Sequence, residues 1–278
     1  MNKTRLTSSV VTIIALLLTF GIPFSAYAGK STVKKVVEME IPAKDLQAIN
    51  VETINGNISI AASNKDIVEL HAEISVTGSK KGTCEELIEE IELKNKDDGE
   101  VLKIEAEIPK KFRYSFSVSY ELTVPEKFKA ECESVNGNIN IAGLTGGADA
   151  ETVNGTIECL NTAKAINAET VNGAIYLNNV EGSVSGEAVN GSIKVVCAKN
   201  EPQTLALETV NGNIDVQLKQ QPNATLRAET MNGSITIGDK KIKRNSIIGT
   251  SFDSPIGNGE GKWSLETVNG SIKVKYPD

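Results

Sequence analysis

The chain has 278 residues, 36 of them acidic against 29 basic, for a formal charge of −7, and only 4% are aromatic. An acidic surface argues against nucleic acid and anionic lipid as partners. With 23 glycines, few rings and a single histidine, the core must be built from aliphatic side chains, and no pair of imidazoles exists for a metal site.

Residues 1–28 read as a secretory leader. Lys3 and Arg5 precede an apolar run from Val10 to Ile22, and Ala26-Tyr27-Ala28 gives a small-x-small cleavage pattern before Gly29. The alternative, a retained membrane anchor, fits less well because the run is shorter than a normal span. No cysteine lies near the site, which argues against a lipid anchor. Cleavage removes two positive charges and no negative ones, so the mature chain is more acidic still. The expected location is therefore outside the cytoplasm: cell surface, periplasm or medium.

Residues 29–65 are expected to form an N-terminal cap, with an alternation around Val36, Val37 and Met39 followed by Ile41-Pro42, and then the first copy of a repeated phrase. The phrase is clearest at Glu151-Thr152-Val153-Asn154-Gly155-Thr156-Ile157. Its eight glycines are Gly56, Gly137, Gly155, Gly173, Gly191, Gly212, Gly233 and Gly270, at spacings of 81, 18, 18, 18, 21, 21 and 37. Units this short cannot bury a core alone and must stack, which is the mark of a solenoid. Two residues after each glycine stands isoleucine: Ile58, Ile139, Ile157, Ile175, Ile193, Ile214, Ile235 and Ile272. Four after it the residue is again apolar, as in Ile141 and Leu177, while the residue between varies freely. This is a strand with one buried face. Five before the glycine the residue is small or apolar, and two before it stands Ile54, Met231 or valine. These positions differ in parity, so a bend is expected between them, with the Asn-Gly pair beside it suited to backbone of positive φ.

Asn-Gly between strands is also a hairpin signal. A string of hairpins would alternate antiparallel partners, whereas one phrase at near-constant spacing suits parallel coils. In such a stack Asn55, Asn136, Asn154, Asn172, Asn190, Asn211, Asn232 and Asn269 align, with amides able to hydrogen-bond along the column.

Residues 66–127 read as an insertion of three strands and one helix. Val68, Leu70, Ala72, Ile74 and Val76 alternate with polar residues, and the lone His71 falls on the polar face as a surface residue. Thr83-Cys84-Glu85-Glu86 has capping-box spacing, and Cys84, Leu87, Ile88 and Ile91 follow on one helical face, predicting a helix from about Cys84 to Leu93 whose first acids complement its dipole. A turn at Asp97-Asp98-Gly99 leads to a strand with Leu102, Ile104, Ala106 and Ile108 inward. Then Phe112, Tyr114, Phe116, Val118, Tyr120, Leu122 and Val124 occupy alternate places, a row expected to pack beneath the helix rather than to bind sugar.

Residues 128–278 are expected to carry the solenoid proper, about eight coils making a rod roughly 40 Å long. Pro202 and Pro222 mark longer corners. The 37-residue gap holds either two coils with a blurred phrase or one coil with an excursion, and Trp263 and Tyr276 are expected to close the far edge. The spacing of Cys84, Cys132, Cys159 and Cys197 identifies neither a disulfide pair nor a zinc site, and Cys159 reads as a buried small hydrophobe. The fold class predicted is all-β: a single-chain parallel β-solenoid of 18–21-residue repeats with a small helix-plus-strands insertion.

The leader, the first Asn-Gly strand, the insertion ending in Tyr120-Glu121-Leu122-Thr123-Val124-Pro125 and the repeated Glu-Thr-Val-Asn-Gly-x-Ile coils together resemble the bacterial putative-adhesin family of exported β-solenoid domains, over essentially the whole mature chain. The resemblance implies fold and compartment and supplies no catalytic, cofactor or ligand residues. Three readings of function follow. The first is a non-catalytic scaffold or binding module for an envelope polymer or protein; the second, an envelope-stress partner of a membrane protein. The third is a polysaccharide-acting enzyme, which the sequence disfavours because no paired acids recur on neighbouring coils except a glutamate column too regular for an active site. That column, Glu133 through Glu229, stacks like charges, to be offset by solvent and nearby cations or, more sharply, by weakly held calcium. No small-molecule substrate is evident.

Overall fold

The computed structural model describes residues 12–16, 29–197, 201–244 and 249–277. The cleavage pattern at Ala26-Tyr27-Ala28 lies outside the described residues. Within the expected leader, Thr12–Leu16 is a strand antiparallel to residues 36–40.

The described residues fold as a parallel β-solenoid with one short helix. Each coil supplies a long strand ending on the asparagine of the phrase, such as Ala165–Asn172, and a short strand beginning on the isoleucine, such as Ile175–Asn178. Long strands pair with long strands and short with short, in parallel and one phrase apart: Glu151 stands opposite Glu169, and Ile157 opposite Ile175. The two sheets face each other across a thin aliphatic core. All eight isoleucines of the phrase are fully buried, and the residues four after the glycine line the core beside them.

The bend comes at the Asn-Gly pair itself. The long strand alternates without interruption up to it, so residues seven, five and three before the glycine point inward, as Ile166, Ala168 and Thr170 do. The residues two before the glycine therefore point out: Val153 and Val171 are 40% exposed. The expected earlier bend does not occur, because the buried position in step with the strand is the threonine. Positive φ is also not the reason for the glycine, since among the eight phrase glycines only Gly56 has it. Successive bends instead touch. A Cβ on Gly155 would lie 1.9 Å from the carbonyl oxygen of Gly137, and one on Gly173 1.8 Å from that of Gly155.

Both ends of the stack are built by a path that runs outward and returns. After the Gly56 coil the chain moves away from the stack, and Val101–Glu107 and Ser115–Pro125 pair in parallel with the two strands of that coil, making an outer coil without the phrase. Beyond it lie the antiparallel strands Ile67–Gly78 and Ser31–Pro42 on one sheet and Glu92–Asp98 on the other. The helix, α1, spans Lys81–Glu89 and buries Cys84, Leu87 and Ile88 against the strands Ser31–Pro42 and Ile67–Gly78. It begins earlier than the Thr83 box implies, with Lys80 at its N-cap and no acid in its first turn. It ends before Leu93 because residues from Glu92 on pair as a hairpin around Gly99, at φ 78°. The aromatic row is covered by the long strand Ala48–Asn55, whose Thr53 and Asn55 side chains donate to the carbonyls of Val118 and Phe116 at 2.9 and 3.1 Å. Phe112 precedes the strand and is fully exposed, and Tyr114 is half-buried with its ring over Gly78.

At the other end the spatial order departs from the chain order. The strands of the Gly233 coil, Ala224–Asn232 and Ile235–Ile237, pair with those of the Gly270 coil, Gly261–Asn269 and Ile272–Lys275, and these in turn pair with the Gly212 coil. The chain thus leaves one slot empty and fills it with its last coil. The 37-residue gap is an excursion, so residues 128–278 hold seven phrase coils rather than eight. Thr250–Ile256 and Lys240–Lys241 run antiparallel along the outer edges and cap the stack. Trp263, expected at the edge, is one slot inside it, buried with its indole N–H donating to the carbonyl of Pro202 at 3.0 Å.

Candidate binding face

The asparagines form a continuous ladder along one corner of the stack. Asn136 donates its amide to the Oδ1 of Asn55 at 2.9 Å, and Asn154, Asn172, Asn190, Asn211, Asn269 and Asn232 follow in spatial order at 2.8 to 3.0 Å, each donating to the coil before. Aligned amides polarise one another and fix the register of neighbouring coils. Inside the same corner the threonines donate to the glycine carbonyls of the coil before, Thr152 to Gly137 and Thr170 to Gly155, each at 3.0 Å. The asparagine, glycine and isoleucine columns thus line the corner and core, where no ligand could reach the isoleucines.

The accessible surface of the repeat is the outer face of the long-strand sheet. Two residues apart along each strand it presents glutamate and then an outward-facing apolar residue, exposed in every coil but that of Val268, which is half-buried. In register these make two rows running along the stack: Glu52, Glu133, Glu151, Glu169, Glu187, Glu208, Glu266 and Glu229, beside Ile54, Val135, Val153, Val171, Val189, Val210, Val268 and Met231. Between them lies a shallow groove of about 730 Å³ that runs over six coils. The valine row was hidden from the sequence reading by the assumed bend. Its signal was parity, since the glutamates two residues away had to face solvent.

Charge along the glutamate row is uneven. At one end Lys103 Nζ lies 2.9 Å from Glu52, and at the other Arg227 Nη2 lies 3.1 Å from Glu229. Between them Glu169 and Glu266 accept hydrogen bonds from Asn167 and Ser264. Among the described residues no side chain of Glu133, Glu151, Glu187 or Glu208 has a cation or hydrogen-bond donor within reach. Partial burial, then the carboxylates of Glu169, Glu133 and Asp149, raises the Glu151 carboxyl above its ordinary value. The carboxylates stand one per coil, and among the described residues no group of three or more acids, cysteines or histidines is placed to hold a metal ion.

A second acidic hollow, of about 790 Å³, lies on the outside of the other sheet. There the exposed His71 stands between Glu38 and Glu121, with Nδ1 3.3 Å from Glu38 Oε1. The four cysteines are buried thiols without disulfides, and burial pushes the Cys159 thiol up to about 12, which makes it unreactive.

The family described as Toastrack DUF4097 matches residues 19–275. No curated protein matches the chain. Among solved structures, a putative cell adhesion protein from Clostridium sporogenes is similar at 12% identity and TM-score 0.34, covering 89% of this chain and 100% of that one. A putative adhesin from Bacteroides fragilis is similar at 13% identity and TM-score 0.33, covering 86% and 96%, and one from Parabacteroides merdae at 15% and 0.25, covering 89% and 97%.

Proposed function

The chain belongs to the Toastrack DUF4097 family, and from that premise we propose that it is a non-catalytic, exported scaffold of the cell envelope that binds its partner along the outer face of the long-strand sheet. The carrying observation is the row of seven exposed apolar side chains from Ile54 to Met231. Scattered exposed apolar residues are ordinary on a soluble protein, whereas a contiguous row on a rigid sheet marks an interaction surface. The ladders of asparagine, threonine and isoleucine hold that face flat and in register, so the partner meets a preformed surface. A leader ending at Ala28 would deliver it to the envelope.

The test is photocrosslinking in the native host, with a photoreactive residue replacing Val171 on this face or the exposed Lys194 on the opposite sheet. A discrete adduct from Val171 and none from Lys194 is expected. Adducts from both or from neither would overturn the binding face. N-terminal sequencing of protein from the envelope fraction should begin at Gly29, and a retained Met1 would overturn cleavage.

A further inference from the structure

We propose that the partner segment seated on this face is a cationic amphipathic α-helix lying along the stack axis. The inference rests on the binding-face reading and adds the chemistry and shape of the occupant. The groove offers two parallel rows, one anionic and one apolar, about two strand residues or 6.6 Å apart. A helix whose apolar stripe is flanked by lysines or arginines presents the complementary pair of rows.

Spacing selects the helix over an extended strand. Along the axis the side chains of one column recur at about 4.8 Å, the separation of neighbouring strands. A helix returns a residue to the same face about every 5.4 Å, falling out of step by about 0.6 Å per coil. A strand returns one about every 6.8 Å and loses a full coil within two or three. From Glu133 to Glu208 there are four steps, about 19 Å, which about 13 residues of helix span with a total drift near 2.4 Å. Flexible lysine and arginine side chains absorb that drift.

Charge favours the same occupant at the same place. The carboxylates at the two ends of the row have cations of their own, Lys103 and Arg227, while Glu133, Glu151, Glu187 and Glu208 between them have none among the described residues. A basic helix over the middle coils would neutralise a row that the fold leaves uncompensated. Lys129, on the same face four residues before Glu133, is already engaged by Glu131 and Asp149.

The experiment compares two peptides of about 18 residues, identical in leucine and lysine content, one arranged with the helical period and the other in strict alternation. Each is titrated into the full chain by fluorescence anisotropy, with circular dichroism of the complex. The helical isomer should bind saturably and gain helix. Its affinity should fall by about tenfold or more in Glu151→Gln/Glu169→Gln/Glu187→Gln and, separately, in Val153→Thr/Val171→Thr/Val189→Thr, with the charge variant also losing salt dependence. Equal or tighter binding of the alternating isomer overturns the helix. A loss confined to the charge variant shows polycation attraction only and also overturns it. Absence of binding by both peptides does the same. An adduct from Val171 to a glycan or to a segment without basic residues would leave the binding face standing while this inference fell.

Discussion

Each bend in the solenoid sets two demands one atom apart, and glycine and threonine answer one each. The carbonyl oxygen of Gly155 occupies the space where a Cβ on Gly173 would go, 1.8 Å away. If positive φ were the requirement, Gly173→Asn would be mild, because asparagine tolerates that region. Close approach predicts instead that Gly173→Asn and Gly173→Ala are both harmful, at about 1–3 kcal/mol or more through separation of the coils, read as a fall in the urea midpoint. The same carbonyls need donors once buried, and threonine hydroxyls supply them at Gly137, Gly155, Gly191, Gly212 and Gly270. The Gly191 coil breaks the row with the buried Ala188, so no hydroxyl stands over the Gly173 carbonyl. Ala188→Thr should therefore stabilise the protein by about 1 kcal/mol, since neighbouring coils already accommodate threonine at this place. A lower midpoint would show that this step of the stack has no room for it.

Within a strand, the alternation that hides one apolar column displays another. The isoleucine and asparagine columns were legible in the sequence because they repeat at fixed distance from the bend and face invariant surroundings. The threonine column was not, since threonine is compatible with either face. Placing valine inward instead forced a bend that the backbone does not make. Helix α1 was legible on its buried side, Cys84, Leu87 and Ile88, but not at its ends, where pairing of Glu92–Asp98 with Val101–Glu107 overrides local preference. The glutamate column is the element whose energetics run against folding. Burial and the neighbours Glu169, Glu133 and Asp149 raise the Glu151 carboxyl, so the folded chain holds that proton to higher pH than the unfolded chain. Stability from this site is then greatest below the ordinary carboxylate range and falls as pH rises through the raised value. Glu151→Gln should accordingly raise stability at neutral pH by a few tenths of a kcal/mol, the scale of an exposed like-charge contact, and change nothing at acid pH. Urea midpoints of parent and variant at both pH values check this, and a variant that is less stable at neutral pH would show that the carboxylate makes a favourable contact instead.

The whole molecule is a stack whose order in space is not its order in the chain, and this could not be read from the sequence because the Gly233 and Gly270 phrases fit any slot equally. The strands of the Gly233 coil pair with the Gly270 coil and with the caps, and not with the Gly212 coil. Among the described residues the Gly270 coil is thus the sole sheet connection between the stack and its far end. Removal of residues 249–278 would take away that coil together with the cap Thr250–Ile256, leaving the Gly233 coil without its neighbour. Two outcomes are open to the shortened chain: the Gly233 coil detaches, or it slides one slot and seats on the Gly212 coil. Inward side chains decide between them. Leu226, Ala228, Thr230 and Ile235 would replace Trp263, Leu265, Thr267 and Ile272, which keeps the aliphatic pattern and the threonine hydroxyl, now donating to Gly212. Asn232 would take over from Asn269 as donor to Asn211. The losses are the volumes of Trp263 against smaller Leu226 and of Leu265 against smaller Ala228, each worth a few kcal/mol, against the burial of a whole coil that sliding preserves. Sliding is the expected result: in hydrogen exchange followed by mass spectrometry, residues 224–237 of the shortened chain should remain protected, at reduced overall stability. Exchange of that segment at the rate of unstructured chain would show that the repeats are not interchangeable, and that each coil is made for one slot.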